Sequence, residues 1–312
     1  MKKENVKRVS IHRKTIIDKF FQNFFMCVCI LCAAIIILIV AFVVMKGIQP
    51  FFKTYEIQNK TYEISFIEFL KGTKWDFAPN HFGAGYIILN TIYITILALI
   101  IAVPISVLSA LFIVKIVHRK LRPIFQTVIE LLASIPSIIY GLFGQAHITK
   151  FTMAIGSIFG YQTLGGQTVL TTVLVLGIMI FPTITMVSMN AIAAVKEDLI
   201  LGSLALGASR TQTNFKVVLK SAKKGIFSGI ILGVGRALGE ATAVSKVCGN
   251  AQTGPSFSLF DTTSTLTTTI LNGFNEASGM KYDIRFSLGV ILIFIILVTN
   301  ILLHWIQKKV GN

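Results

Sequence analysis

Six apolar segments dominate this sequence, and each is long enough to cross a hydrocarbon layer as a helix. They cover residues 24–45, 86–117, 124–144, 168–189, 225–248 and 286–306. A spanning helix needs about 20 residues of this kind, and only a helix or a closed barrel can satisfy its own backbone inside lipid. Of the 312 residues, 54% are apolar and 13% charged. That is roughly half the charged share of a soluble domain. A disordered chain and a soluble globular enzyme are both excluded on these grounds. The expected fold is an all-α integral membrane bundle of six transmembrane helices. Pro104, Pro136 and Pro182 sit inside spans and are expected as kinks that neighbouring groups satisfy. The first apolar run is longer than a signal-peptide core and no cleavage site follows it, so it is expected to be a retained span.

Charge sets the orientation. Lys and Arg number 29 against 13 Asp and Glu. If the N-terminus is cytoplasmic, 19 of the 29 basic residues fall in the inner segments and eight in the outer ones. Arg236 and Lys246 remain in the fifth span. This asymmetry places both termini in the cytoplasm. It also accounts for most of the +16 net charge without a nucleic-acid partner; the partner of so apolar a chain is the lipid bilayer of the cell membrane. The expected organisation is a basic cytoplasmic segment (1–23), a first transmembrane helix (24–45), an extracytoplasmic loop (46–85), a five-helix core (86–306) and a cytoplasmic tail (307–312). The core contains one long cytoplasmic loop, 190–224. It lacks Pro and has spaced apolar residues, the pattern of a short helix–turn–helix at the membrane surface.

No motor, metal site or catalytic constellation is visible. Gly202 and Gly207 have phosphate-loop spacing, but Ala208 and Ser209 follow where Lys is needed. The stretch from Leu164 to Gln167 faintly resembles an ATPase signature but lies in an outer loop. Gly233, Gly235 and Gly239 lack the dinucleotide spacing. The five His are scattered, and Cys27, Cys29, Cys32 and Cys248 have no ligand neighbours; they read as small core or lipid-facing residues. The chain is expected to catalyse nothing alone and to hold no cofactor or metal.

The fifth span carries the most informative residues. Arg236 lies about twelve residues into it, and Glu240 follows at i+4. A charge at that depth costs about 2.5–3.5 kcal/mol on insertion scales, so the pair should face water or protein. On a continuous helix the two share a face with Gly229, Gly233, Gly239 and Ala243. Small residues there permit close helix approach or leave room for a solute. The fork of an Arg suits a tetrahedral oxyanion; a salt bridge that only locks helices together is the alternative. Glu130, near the inner end of span three, is expected to be structural, and Lys246 to snorkel outward.

Several separated motifs resemble those of known transporters. Leu201, Gly202, Ser203, Leu204, Ala205, Leu206, Gly207 and Ala208, with Ser209 and Arg210 after them, resemble the coupling loop of ABC-importer permeases. That loop docks into an ATPase subunit. Leu201 stands where the family usually has Glu, and Lys220 where it has Pro; Glu197 is out of register for the missing Glu. The run from Glu130 through Pro136 and Tyr140 to Gly141 looks like the third span of phosphate-importer permeases. Gly235 through Glu240, continuing to Gly249 and Asn250, looks like their fifth. Phe69, Gly72, Trp75 and Asp76, followed by Phe82 and Gly83, look like the first outer loop of the PstC-type subunit. The resemblance runs from about residue 65 to the C-terminus.

The resemblance implies a type I importer permease that pairs with a PstA-type subunit, a PstB-type ATPase dimer and an extracytoplasmic phosphate-binding protein. ATP and Mg²⁺ would sit on the ATPase. Arg236 and Glu240 would line the phosphate path. Glu240 could accept a proton from phosphate that sulfate cannot offer, or the binding protein could supply all the selectivity. A permease for sulfate or molybdate, an ATP-independent anion transporter or channel, and a sensor or scaffold subunit remain as competing readings.

Overall fold

The computed structural model describes residues 2–57, 60–76 and 81–311, with side chains from residue 18 to 309 apart from 57–60 and 77–80. The basic side chains before Asp18, and Pro79 of the first outer loop, lie outside the described residues. Four helices are long and apolar enough to cross a membrane. Three of them begin as α1 (Lys2–Ile48), α7 (Val169–Ala193) and α13 (Met280–Gly311). The fourth is α3 (Gly85–Leu111), which runs on through a wider π-type turn, Phe112–Ile116.

The α7 helix is the centre of the bundle, packed between α3 and α10 (Leu219–Gly239). Its N-terminus is capped by Thr168, whose hydroxyl accepts the Thr171 N–H at 3.2 Å. Ile94 and Ala98 of α3 meet Val173, Leu176, Met179, Ile180 and Ile184 of α7 in one buried cluster. Burying each such side chain fully is worth about 1.5–3 kcal/mol against water; in lipid, close packing and not water exclusion holds the seam.

Two of the six expected spans are not single helices. The third breaks into α4 (Arg122–Ser134) and α5 (Ser137–Phe143), which meet at 91°. Pro136 is the cause. It has no N–H for the Leu132 carbonyl, and it forces Ile135 into an extended conformation (ψ 128°). The Tyr140 hydroxyl takes over, donating to the Leu132 carbonyl at 2.7 Å. Pro104 and Pro182, by contrast, stay inside continuous helices. A wide turn, Gly144–Ile148, then joins α5 to α6 (Thr149–Ile158). This bent pair raises the candidate spans from four to five. The fifth expected span, 225–248, ends as a helix at Gly239 and resumes only as the single turn α11 (Thr242–Ser245). Its helix α10 also carries Lys220, Lys223, Lys224 and Arg236 in 21 residues, so apolarity alone does not mark it as a span.

Tyr140→Phe is expected to keep the fold but lower its thermal midpoint in detergent. The Leu132 carbonyl would retain only the Ile135 N–H at 3.4 Å, and the lost hydrogen bond is worth about 0.5–1.5 kcal/mol.

The inner loop folds as α8 (Glu197–Ala205), a turn at Gly207, and α9 (Arg210–Thr213), which passes through Asn214–Val218 into α10. At its far end α13 donates from Gln307 to the Lys224 carbonyl at 2.9 Å and to Ser228 at 2.7 Å. The end of α13 therefore lies beside the start of α10, close to this loop. At the opposite end, Gly47 of α1 sits so tightly on α13 that a Cβ there would meet Val290 and the Phe286 carbonyl. Ser287 donates to the Gly47 carbonyl at 2.6 Å.

The 46–85 loop forms a cap. It holds the hairpin β1–β2 (Tyr55–Ile57, Lys60–Tyr62), the helix α2 (Phe66–Lys71) and the pair β3–β4 (Trp75–Asp76, His81–Phe82). Phe69, Trp75 and Phe82 are buried with Tyr86, Leu266 and Ile284. Gly72 and Gly83 cross so closely that a Cβ on Gly72 would lie 2.4 Å from Gly83 Cα. The Trp75 N–H donates to the Gln252 carbonyl at 2.7 Å and the Gly254 N–H to Thr73 at 3.0 Å. The two outer loops are thus one structure. Asp283 ties it down: it accepts from the Tyr55 hydroxyl at 2.9 Å and pairs with Lys46 at 3.7 Å. Burial and that carboxylate push the Tyr55 phenol well above its ordinary pKa. Arg285, counted above with the outer-loop basic residues, is instead only 2% exposed. It donates to the Lys281 and Asn272 carbonyls at 2.6 and 2.7 Å, closing the end of α12 (Leu266–Leu271).

Candidate functional site

The breaks in the third and fifth spans meet. Gly141 of α5 packs on α11, where a Cβ would lie 2.9 Å from Ala243 Cα. Only a glycine lets the two backbones approach this way. Gly141→Val is expected to prevent assembly of the bundle, seen as loss of folded protein on detergent extraction, because both facing groups are backbone.

Arg236 occupies the last turn of α10, where the helix dipole favours a cation. It is half-buried, and its Nη1 donates to Thr183 Oγ1 at 2.7 Å. Thr183 follows Pro182, so the proline-bearing turn of α7 carries the anchor. Tyr140 lies within the field of the same guanidinium. Among the described residues no carboxylate stands within ion-pair distance of Arg236. One of five N–H donors is committed to Thr183.

Glu240 is not the partner of Arg236. The i,i+4 reading required a continuous helix, and the helix ends one residue before it. Glu240 is extended (ψ 116°). Its carboxylate accepts the Ala243 N–H at 2.9 Å, and its carbonyl accepts from Thr267 at 2.8 Å. The side chain caps α11, drawing the backbone out of the helix. The expected small-residue face also divides. Gly229 and Gly233 pack on Ile184 and Val187 of α7, while a Cβ on Gly235 or Gly239 meets nothing within 4 Å. The open side of α10 lies next to Arg236. Ala243 belongs to the Gly141 contact.

Glu130 and Lys246 are exposed. Sequence reading missed Thr183, Tyr140 and Thr267. For Thr183 the usable signal was a hydroxyl directly after a mid-span proline; Thr267 lay unmarked in a Thr-rich outer loop.

The inner loop presents a second, separate surface. Its α8 has no buried residue. Leu206 is 90% exposed and Leu201 57%. The turn is a Schellman motif: Gly207 takes φ +83°, its N–H donates to Leu204 O at 3.0 Å, and the Ala208 N–H donates to Ser203 O at 3.2 Å. Ser209 and Gln212 form a capping box at the start of α9. Ser203 and Thr213 hydroxyls bond at 2.9 Å across the turn. That bond braces α8 against α9 where Leu201 offers no carboxylate; Lys220 is exposed on the following helix.

Residues 102–312 match the family model described as the binding-protein-dependent transport system inner membrane component. A probable ABC transporter permease protein, YqgH, of Bacillus subtilis (strain 168) is 34% identical over 289 residues, covering 91% of this chain and 88% of the relative. The phosphate transport system permease protein PstC of Pasteurella multocida (strain Pm70) is 38% identical over 262 residues, 78% of this chain and 82% of that one. A probable PstC of Methanocaldococcus jannaschii is 31% identical over 289 residues, 88% and 91% of the two chains. Among solved structures, an importer of the polysaccharide alginate aligns at TM-score 0.61 with 16% identity, over 93% of this chain and 97% of its own. The MetNI methionine transporter aligns at 0.51 with 19% identity, over 74% and 95%. These two show the fold. With its helical bundle, the family match over residues 102–312 and PstC relatives over most of its length, this chain belongs to the binding-protein-dependent transport system inner membrane components, among the PstC-type permeases.

Proposed function

We propose that this chain is a membrane-spanning subunit of an ATP-driven phosphate importer. The observation that carries the reading is Arg236: a guanidinium on a helix of the bundle, beside the open Gly235–Gly239 side, with no carboxylate in ion-pair reach among the described residues. Desolvating a bare cation is costly, and an oxyanion arriving along the open side would offset that cost. Thr183 fixes one end of the fork and leaves donors for the anion. Glu240 contributes by holding the break that ends α10 at this point. Its second carboxylate oxygen is the group proposed to meet a protonated phosphate.

A PstA-type subunit would complete the path. A PstB-type ATPase dimer, carrying ATP and Mg²⁺, would grip α8 and the Leu206 turn. An extracytoplasmic phosphate-binding protein would deliver to the cap. Closure of the ATPase would move α8, and through Ser203, Thr213 and α9 would move α10 itself. The test is uptake into proteoliposomes holding this chain, its permease and ATPase partners, internal ATP and the binding protein. Phosphate uptake that needs ATP is expected. Transport of sulfate or molybdate in its place would reassign the substrate, and ATP-independent uptake would overturn the importer reading.

Glu240→Gln is expected to assemble normally, because the amide oxygen can still accept the Ala243 N–H, while the preference for phosphate over sulfate falls. Unchanged discrimination in the uptake assay would leave Glu240 with the capping role alone.

A further inference from the structure

The outer end of the bundle carries an amphipathic groove that the transport path does not use. Its apolar part, about 700 Å³, lies where the end of α1, the cap helix α2, α3 and α13 converge, and is walled by Phe51, Phe69, Ile88, Val290 and Phe294. That is the size of a pocket for an organic ligand, and almost nothing polar lines it. It sits at the outer edge of the apolar helices, where a bilayer supplies hydrocarbon and water gains nothing by entering. Phe52 and Phe66, 86% and 52% exposed at the rim, are placed as interfacial aromatics.

The groove opens into a polar cleft of about 690 Å³ that shares Phe51, Phe52 and Phe66 with it. The cleft is lined by one cation, Lys53, and two carboxylates, Glu63 and Glu68, with the Thr54 hydroxyl between them. Their positions are set locally: Thr54 donates to Glu63 at 3.3 Å, and the Lys53 ammonium stands 5.4 Å over the Tyr55 ring. Tyr55 is in turn held by Asp283.

We propose that this site binds one aminophospholipid of the outer leaflet, with an acyl chain in the groove and the headgroup in the cleft. Three features choose that occupant. The apolar part takes a hydrocarbon chain and offers it no hydrogen bond. Lys53, the one cation of the cleft, matches a phosphate. Glu63 and Glu68 match a primary ammonium, repel a purely anionic headgroup, and give no donor-to-carboxylate bond to a quaternary one. The bound lipid wedges the cap against α1 and α13. The proposal stands independently of what the permease carries.

The test is native mass spectrometry of the purified full-length protein in mild detergent, with phosphatidylethanolamine, phosphatidylglycerol and phosphatidylcholine added in equal amounts. One retained lipid per chain is expected, with the ethanolamine lipid favoured about tenfold, the effect of one charge-assisted bond. Lys53→Ala should lower retention of all three. The double change Glu63→Gln and Glu68→Gln should erase or reverse the preference over phosphatidylglycerol. Ile291→Trp should fill the groove and release the lipid, and a single cooperative thermal transition would show that the fold survived. Retention without headgroup preference, or a preference indifferent to all three charges, would mean annular lipid contact only and overturn the proposal. So would a protein segment, and not a lipid, found in the groove of the assembled transporter.

Discussion

Leu206→Asp is expected to abolish ATP-driven uptake while the permease stays folded. Leu206 is 90% exposed at the tip of a turn whose geometry is fixed from within by Gly207, Ala208 and Ser203. Its side chain contributes almost nothing to the stability of this chain. It gains a role only when a partner groove covers it. Burying a Leu is worth about 1.5–3 kcal/mol, and placing an unpaired Asp in the same groove adds a penalty of several kcal/mol. Docking should weaken by roughly 10³-fold or more. The check is co-elution of the ATPase with the detergent-solubilised permease, beside uptake in proteoliposomes. Gly207→Val reaches a similar end by another route. A β-branched residue at φ +83° is strained by about 1–2 kcal/mol, and relieving the strain dismantles the turn. Co-elution and uptake preserved in Leu206→Asp would place the docking surface elsewhere.

Arg236→Ala should be as severe for transport and neutral for docking. Removing the guanidinium removes a cation that no described carboxylate balances, so the bundle has no ion pair to lose. The Thr183 hydroxyl would lose one donor, a cost of about 1–3 kcal/mol spread over folding. The anion would lose its charge-assisted bonds, and phosphate uptake should fall by at least about a hundredfold. Arg236→Lys keeps the charge but not the fork and should be intermediate. Thr183→Val should be milder than either, since Thr183 positions the fork without facing the open side. An Arg236→Ala transporter of normal assembly and normal rate would reduce Arg236 to a structural residue.

The Gly207 turn was the most legible local structure. A Gly, an exposed Leu before it, and a Ser followed three residues later by Gln are all local signals, and local geometry decides them. The cap motif was legible as a pattern without its reason: Phe69, Trp75 and Phe82 are core, and Gly72 and Gly83 are a backbone crossing. The breaks were not legible. Pro104, Pro136 and Pro182 look alike in sequence, and only the third dimension shows that the freed Leu132 carbonyl has Tyr140 to accept from. The Arg236–Glu240 pair failed for a related reason. Spacing on a helix argues for a shared face only while the helix continues, and Glu240 takes its hydrogen bond from the next turn instead. Arg285 shows the converse: a basic residue in a segment expected to be a loop reads as solvated, yet the Lys281 carbonyl one turn back on α13 and the Asn272 carbonyl after α12 hold it buried. The six-span count rested on apolar length, which α10 with its four charges does not supply.

The most direct measurement is the reactivity of a cysteine at position 239 in the assembled transporter, with Cys27, Cys29, Cys32 and Cys248 replaced. A side chain at Gly239 meets nothing within 4 Å, on the side of α10 where the account places the anion. A small anionic thiol reagent is predicted to modify it, phosphate is predicted to slow that reaction, and Arg236→Ala is predicted to abolish the protection. A cysteine at 239 that stays unreactive, or that reacts at a rate phosphate does not change, would contradict the path beside Arg236.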